Sequence, residues 1–196
     1  MKLPITYYLK DDVVALAKSF LGKFLFTNID GIVTGGIITE TEAYNGVTDK
    51  ASHAYNGLRT NRTEVMYKEG GICYVYLCYG VHYLFNIVTN LKNIPHAILI
   101  RGIFPLTGEK EILRRTGKQR IMYQLTNGPG KLSKALGIST LHNAISLNGS
   151  TVWIEDRGIS CNTDDITSSN RIGVAYAGED ALLPYRFELD YRNYIN

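Results

Sequence analysis

The apolar positions in the first part of the chain change from a helical to a strand period. In the stretch 11–21, DDVVALAKSFL, apolar residues recur at helical spacing, and two aspartates open the first turn, where the helix dipole favours negative charge. Gly22 follows and ends the helix. The stretch 23–46 reads instead as two strands joined by the turn Ile29-Asp30-Gly31, and Asp-Gly is a strong hairpin signal. We therefore predict a helix followed by a β-hairpin.

Strands and helices then follow without regular alternation. The stretch 45–71 is polar and long for a loop, which predicts a short helix, a functional loop or both. The pattern next predicts a strand, a turn at Tyr79-Gly80 and a second strand within 72–89. The remaining predicted elements are a strand over 96–104, helices over 109–115 and 131–136, and short strands around 152–154 and 186–188.

This order of elements indicates the fold class. No βαβ rhythm repeats along the chain, which favours an α+β fold on an antiparallel or mixed sheet. A chain of 196 residues with 45% hydrophobic content can bury one good core. We expect one compact domain over residues 1–196, with a curved sheet, surrounding helices and a protruding β-hairpin.

Composition narrows the class of protein without fixing it. The formal net charge is +3 and the pI is about 8.7, which permits a polyanionic partner but does not require one. No apolar run approaches the ~20 residues that a membrane span needs. The N-terminus reaches Asp11 and Asp12 before an apolar signal region could form. We expect a cytoplasmic protein.

The cysteines and histidines indicate no metal site. Cys73, Cys78 and Cys161 form no CxxC motif, and two of them lie in apolar strand-like sequence, which is typical of reduced thiols. The four histidines are scattered and do not follow the spacing of a zinc site. The spacing therefore predicts no structural zinc site.

The stretch ITETEAY (38–44) carries the first candidate chemistry. Side chains two apart on a strand share a face, so Glu40, Glu42 and Tyr44 are predicted to point the same way. One interpretation is a solvated sheet face. The other is a general base, since neighbouring carboxylates raise each other's pKa and a strand holds them at a fixed position. The residues alone leave both open.

Two polar residues interrupt otherwise apolar strands. Arg101 lies within AILIRGIF, where a buried guanidinium needs a carboxylate or a phosphate. It could form a structural pair with a glutamate, or it could keep Glu42 ionised and help to place a water. Asn86, within LFNIVT, is either a structural bridge or a group that contacts a polar ligand edge.

The tyrosines fall into two groups. Tyr74 and Tyr76 share one face of a strand, where packing between strands is the simplest explanation. Tyr79 precedes Gly80 at a predicted hairpin tip, where an aromatic ring would be exposed. Such a ring is well suited to insertion between stacked bases.

Basic residues could meet phosphates, although each alone is more often a solvated surface residue. The candidates are Arg59 and Arg62 in the polar stretch 45–71 and Lys131 after the glycine-rich turn. The stretch NGPGK (127–131) fails as a P-loop, because Leu125 and Leu132 occupy required positions.

Several motifs occur together in an order that is more specific than any one of them. The segments are LAKSFLGK (16–23), ITETEAY (38–44), SHAYNG with RTNR (52–62), GGICYVYLCYGVHYLFNIV (70–88), AILIRGIFPL (97–106), LTNGPGKLSKALGI (125–138) and RIGVAYAG with PYRF (171–187). Together they resemble the alkyladenine (3-methyladenine) DNA glycosylase family, and the resemblance covers most of the chain.

The resemblance implies an enzyme that flips damaged purines out of double-stranded DNA and hydrolyses their N-glycosidic bond, as a monomer and without a metal or cofactor. It also implies a role for each matching residue. Glu42 matches the general base, and Arg101 and the Ile172 carbonyl match the groups that hold its water. Tyr44, His53 and Tyr76 match the stack around the extruded base. Asn86 matches the residue that crowds the 2-amino position of guanine, and Tyr79 matches the intercalating tyrosine.

Two other functions remain open at this point. The first is a nucleic-acid-binding module without catalysis, in which Glu42→Gln would change no activity. The second is a metal-assisted hydrolase built on Glu40, Glu42 and the histidines, whose activity a chelator would inhibit.

Overall fold

The computed structural model describes residues 1–195. Within them, the α-helices are α1 (Ile5–Tyr8), α2 (Val13–Ser19), α3 (Glu109–Thr116) and α4 (Pro129–Leu136). The strands are β1 (Phe24–Ile29), β2 (Ile32–Tyr44), β3 (Ile72–Cys78), β4 (His82–Thr89), β5 (His96–Thr107), β6 (Val152–Glu155), β7 (Ile166–Ser169) and β8 (Arg186–Leu189). Short 3-10 helices occur in the longer connections and after β8. No helix within these residues is long and apolar enough to cross a membrane.

The predicted helix start and the predicted hairpin turn both lie where the sequence places them. Asp12 caps α2, accepting hydrogen bonds from the N–H groups of Val14 and Ala15 at 2.9 Å. Asp30 and Gly31 join β1 to β2 with φ angles of 55° and 77°, the left-handed pair that a two-residue hairpin turn requires.

The eight strands form one antiparallel sheet, which confirms the α+β prediction. Six of them follow the order β3-β4-β5-β2-β1-β6, and β8 pairs with β2 and with β7 beside this path. The long strand β2 pairs with β1 through its first part, with β5 along most of its length and with β8 over Glu40 to Glu42. Register shifts between Ile38 and Thr41 bend β2 beside β5. The sheet is therefore curved around the residues of the predicted ITETEAY strand.

The β3–β4 hairpin extends beyond the rest of the sheet. Its two strands pair from Ile72↔Val88 to Cys78↔His82. The next strand, β5, pairs with β4 only from Asn86 to Thr89. The end of the hairpin from Tyr76 to Leu84 is therefore a two-stranded ribbon, which agrees with the predicted protruding hairpin.

The two faces of the sheet have different surroundings. Ile38, Ala43, Ile87 and Ile98 belong to the main buried core, which also contains residues of α2 and α4. Tyr74, Val88 and Ala97, which alternate with core residues along the same strands, point to the other face. There they form a smaller buried cluster with Val65, Met66 and Tyr67 from a 3-10 helix. Polar side chains on this second face are consequently covered by loops rather than by water.

The stretch 45–71 forms three short 3-10 helices, Gly46–Thr48, Tyr55–Gly57 and Glu64–Tyr67, in agreement with the prediction of a short helix there. Other elements differ from the sequence prediction. The strand predicted over 96–104 continues to Thr107. Neither α1 nor β7 was expected. Both are only four residues long, too short for a hydrophobic period to be recognised.

Candidate active site

A cavity of about 710 Å³ lies on the loop-covered face of the sheet. Its wall contains nine of the predicted residues: Tyr44, His53, Arg62, Tyr76, Tyr79, Asn86, Arg101, Lys131 and Ile172. Their common face follows from strand parity and from the loops that close over it. The structure therefore brings together most of the residues singled out in the sequence.

Glu42 lies directly behind this wall and is fully buried. Its Oε1 accepts a hydrogen bond from the Ile172 N–H at 2.8 Å and lies 3.3 Å from Arg101 Nη1. Its Oε2 accepts a hydrogen bond from the Tyr44 hydroxyl at 2.7 Å. An ionised carboxylate offers about four acceptor sites, so these three contacts leave it able to accept a further hydrogen bond.

Burial dominates the electrostatics of Glu42. Desolvation raises the pKa of its carboxyl above the ordinary value, while Arg101, the Ile172 N–H and the Tyr44 hydroxyl act in the opposite direction. Arg101 thus favours the ionised form of Glu42, as expected if it keeps this carboxylate charged. Its effect on the pKa is smaller than that of burial. A raised pKa with specific charge partners beside a cavity is typical of functional carboxyls.

A second buried carboxylate holds Arg101 in place. Glu40 Oε1 accepts hydrogen bonds from Arg101 Nε at 2.7 Å and from Arg186 Nε at 2.6 Å. Glu40 is 1% exposed, so the interpretation of ITETEAY as a solvated face is wrong. Arg186 was not predicted, since it lies 146 residues from Glu40 in the chain and only strand pairing joins them.

Three aromatic rings line the cavity beside Glu42. The ring centres of His53 and Tyr76 are 4.7 Å apart, and those of Tyr76 and Tyr74 are 5.3 Å apart. His53 Nδ1 lies 2.8 Å from the Tyr74 hydroxyl. Strand spacing alone predicted only packing between strands for Tyr74. Burial, with a smaller effect of Arg62, lowers the pKa of His53 to about 4. His53 is therefore neutral near pH 7.

Asn86 is buried in the cavity wall with a defined orientation. Its Nδ2 donates hydrogen bonds to the carbonyl oxygens of Tyr74 at 3.1 Å and Leu84 at 3.4 Å. The sequence left open whether Asn86 is a structural bridge or a ligand contact, and the two roles are compatible. The amide nitrogen binds the backbone of the hairpin, and Asn86 also lines the cavity.

Tyr79 lies at the end of the hairpin ribbon, as predicted. Its side chain is 92% exposed, and its φ angle is 49°. The left-handed conformation is unfavourable for a bulky residue, by roughly 1–2 kcal/mol. Such strain at an exposed aromatic is typical of functional sites.

The three predicted phosphate contacts differ in their surroundings. Arg62 lies with its guanidinium 5.9 Å from the centre of the Tyr76 ring, at the cavity. Lys131 is exposed in the first turn of α4, also at the cavity. Arg59 does not join them: its Nε and Nη2 donate hydrogen bonds to Glu64 at 2.7 and 2.6 Å.

The hydrogen-bond donors around the two buried carboxylates do not resemble the ligand set of a metal centre. Arginine, amide and phenol groups occupy the oxygens of Glu40 and Glu42. Within residues 1–195, no group of three His, Cys, Asp or Glu side chains is arranged to hold a metal ion. The arrangement offers instead one carboxylate that can accept a proton beside a cavity lined with rings.

The chain is similar to one family of known proteins over most of its length. Residues 7–193 match the family described as "Methylpurine-DNA glycosylase (MPG)". A Chlamydia felis protein named "Putative 3-methyladenine DNA glycosylase" is 49% identical over 189 residues, 96% of either chain. Proteins with the same name from Clostridium botulinum and Bacillus cereus are 42% and 43% identical, each over at least 95% of both chains.

Proposed function

The chain belongs to the methylpurine-DNA glycosylase family, and from that membership we propose that it removes alkylated purines such as 3-methyladenine from double-stranded DNA. It is a DNA glycosylase, a hydrolase that acts on N-glycosyl bonds. In this proposal it is monofunctional and acts as a monomer, because one chain supplies all the site residues. The observation that carries the proposal is a buried, ionisable Glu42 behind a ring-lined cavity.

Glu42 is the general base of the proposed reaction. A water held by Glu42 and Arg101, with the Ile172 carbonyl as a third contact, attacks C1′ of the deoxyribose and loses its proton to the Glu42 carboxylate. The N-glycosidic bond breaks and its electrons leave with the base. A cationic 3-methyladenine departs as a neutral molecule, so base loss needs no added proton. A deaminated base such as hypoxanthine would need protonation as it leaves.

The cavity would recognise the extruded base by stacking. Tyr44, His53 and Tyr76 present aromatic surfaces to the cavity, and such surfaces favour electron-poor, positively charged purines. Asn86 would crowd a purine that carries a 2-amino group and so disfavour guanine. Neutral His53 adds no positive charge that would repel a cationic base.

Tyr79 would fill the space that the flipped nucleotide leaves in the duplex. Flipping costs a few kcal/mol of stacking and pairing, and an inserted ring restores part of that stacking. Arg62 and Lys131 lie at the cavity, where they could contact phosphates of the same strand. Arg59 would need to leave Glu64 to make such a contact.

The proposal is tested by measuring base release from duplexes that each carry one modified purine. We expect 3-methyladenine to be released under single-turnover conditions, leaving an intact strand with an abasic site. Cleavage of the strand by the enzyme itself would contradict the monofunctional assignment. Absence of release from every alkylated purine in the set would contradict the proposal.

We predict that the rate of base release rises with pH as Glu42 loses its proton. Because burial raises the pKa of Glu42, the rise should be centred above the usual glutamate value of about 4.3. Single-turnover rates from about pH 4 to about pH 8, with circular dichroism as the control for folding, measure it. A rate that does not change over this interval would exclude a titrating base.

We predict that Tyr79→Asn weakens binding to lesion-containing duplex by about 1–3 kcal/mol, the usual contribution of a stacked ring. Asparagine tolerates the left-handed conformation, so the turn itself should not be destabilised. Tyr79→Phe, which retains the ring, is the matched control. Fluorescence anisotropy with lesion and intact duplexes measures the effect, and equal affinities of Tyr79→Asn and the wild type would exclude intercalation.

A further inference from the structure

A buried ion pair between Asp49 and Arg171 lies beside the candidate base. Arg171 Nη1 donates to Asp49 Oδ2 at 2.5 Å, and Nη2 donates to Asp49 Oδ1 at 2.9 Å. The Arg171 side chain is 0% exposed and that of Asp49 is 1% exposed. Neither residue touches the proposed water or base, and the proposed mechanism gives them no role.

The pair is connected to Glu42 through two separate contacts. Arg171 immediately precedes Ile172, whose N–H donates to Glu42 Oε1 at 2.8 Å. The Arg171 guanidinium also lies over the ring of Tyr44, 4.8 Å from its centre, and the Tyr44 hydroxyl donates to Glu42 Oε2. Apart from Arg101, the groups that contact the Glu42 carboxylate are the Ile172 N–H and the Tyr44 hydroxyl. Arg171 thus supports both of them.

Further hydrogen bonds hold Arg171 and Asp49 rigidly. Arg171 Nη1 donates to the Ala43 carbonyl at 2.9 Å, and Nη2 donates to the Asp180 carbonyl at 3.0 Å. Asp49 accepts hydrogen bonds from the N–H groups of Asn45 at 3.0 Å and Ala51 at 2.9 Å. The pair therefore joins the end of β2, the loop that follows it and the segment around Ile172.

Stability alone is a poor explanation for this pair. Taking two charges out of water is costly, and apolar residues of similar volume are often as stable. Arg171 Nε is buried without a hydrogen-bond partner, so the desolvation is not fully compensated. A buried pair with an unpaired donor is better explained by the geometry that it imposes on its neighbours.

We propose that Asp49 and Arg171 are positioning residues for the glycosylase reaction, holding the Ile172 N–H and the Tyr44 hydroxyl on Glu42 so that its carboxylate faces the attacking water. The inference rests on the proposed function, in which Glu42 is the general base. Without the pair, the carboxylate loses two oriented donors that favour its ionised form. The charged or titratable groups that face Glu42 from the elements around it are Glu40, Tyr44, Arg101 and Arg171.

The test uses the double variant Asp49→Asn/Arg171→Gln, which removes both charges together and leaves neither one buried alone. We expect the maximal single-turnover rate to fall by about 10- to 100-fold, the size of effect seen for residues that orient the ligands of a metal site. We also expect the acidic limb of the pH–rate profile to move to higher pH. Affinity for lesion-containing duplex should stay at the wild-type level.

Asp156→Asn is the matched control, because it removes a carboxylate from the Lys23–Asp156 ion pair outside the site. It should leave the pH–rate profile unchanged. A double variant whose acidic limb stays at the wild-type position would overturn the proposal, whatever its stability. If the double variant does not fold, Arg171→Lys takes its place: it retains the charge but loses the two-pronged contact, and an acidic limb at the wild-type position would again overturn the proposal.

The same assay on Glu42→Gln separates this inference from the proposed function. If Glu42→Gln releases base at the wild-type rate, Glu42 is not the general base of the proposed function, and the positioning role fails with that assignment. If Glu42→Gln is inactive and the Asp49/Arg171 variants keep the wild-type pH profile, only the positioning role fails.

Discussion

Glu42→Gln is expected to release no measurable 3-methyladenine while binding lesion-containing duplex as tightly as the wild type does. An uncharged amide cannot accept the proton of the attacking water, and loss of a general base typically lowers the rate by about 10²–10⁴-fold. The cavity wall in front of position 42 would remain intact, since glutamine has nearly the same shape. Single-turnover release and anisotropy on one lesion duplex measure the two effects.

A stability measurement shows whether Glu42→Gln acts on chemistry or on folding. The raised pKa of Glu42 means that the folded state holds the proton to higher pH than the unfolded chain does. The free energy of unfolding therefore falls as pH rises between these two pKa values, and it stays lower above them. Glutamine removes this loss, so Glu42→Gln should be at least as stable as the wild type near pH 7.

Glu188→Gln is the matched control for this prediction, because Glu188 lies on the neighbouring strand β8 and pairs with Arg186 at the surface side of the site. It should retain base release. Wild-type release by Glu42→Gln would remove Glu42 from its role. Inactive Glu42→Gln with intact binding would exclude the alternative of a binding module without catalysis, in which this substitution changes no activity.

Arg101→Met is expected to destabilise the fold by about 3–5 kcal/mol, the usual effect of removing one partner from a buried ionic network. It would leave Glu42 without its cation and Glu40 with Arg186 alone. Arg101 lowers the pKa of Glu42, so without it the Glu42 carboxyl would bind its proton at higher pH and the destabilisation should become smaller as pH falls. Urea unfolding at two pH values measures both effects.

The control for Arg101→Met is Arg192→Met, which breaks an exposed ion pair with Asp190. Exposed pairs contribute little, so its unfolding midpoint should not change measurably. If Arg101→Met unfolded at the wild-type midpoint, the buried network would not depend on this cation. The site would then need another source of compensation for two buried carboxylates.

Local patterns were sufficient for the elements that carry the site. Period-two spacing placed Glu40, Glu42 and Tyr44 on one face, and that face is shared despite the irregular register of β2. The turn signals Asp30-Gly31 and Tyr79-Gly80 both mark hairpins in the structure. These predictions succeeded because strand parity and left-handed turns depend on residues that are adjacent in the chain.

Contacts between distant segments could not be predicted in the same way. Asp49 and Arg171 lie 122 residues apart, and neither belongs to a periodic pattern that would pair them. The solvated-face interpretation was wrong for a related reason. Alternation shows that one face of a strand is polar, but it does not show whether water or a loop covers that face.

The end of the β3–β4 ribbon is attached to the sheet on one side only, since β4 meets β5 from Asn86 to Thr89. The carboxylates lie on β2, and Arg101 lies on β5 outside that pairing. In the proposed reaction, the ring that enters the duplex is thus carried by a different part of the sheet from the carboxylate that activates the water, which lies on β2 between β5 and β8.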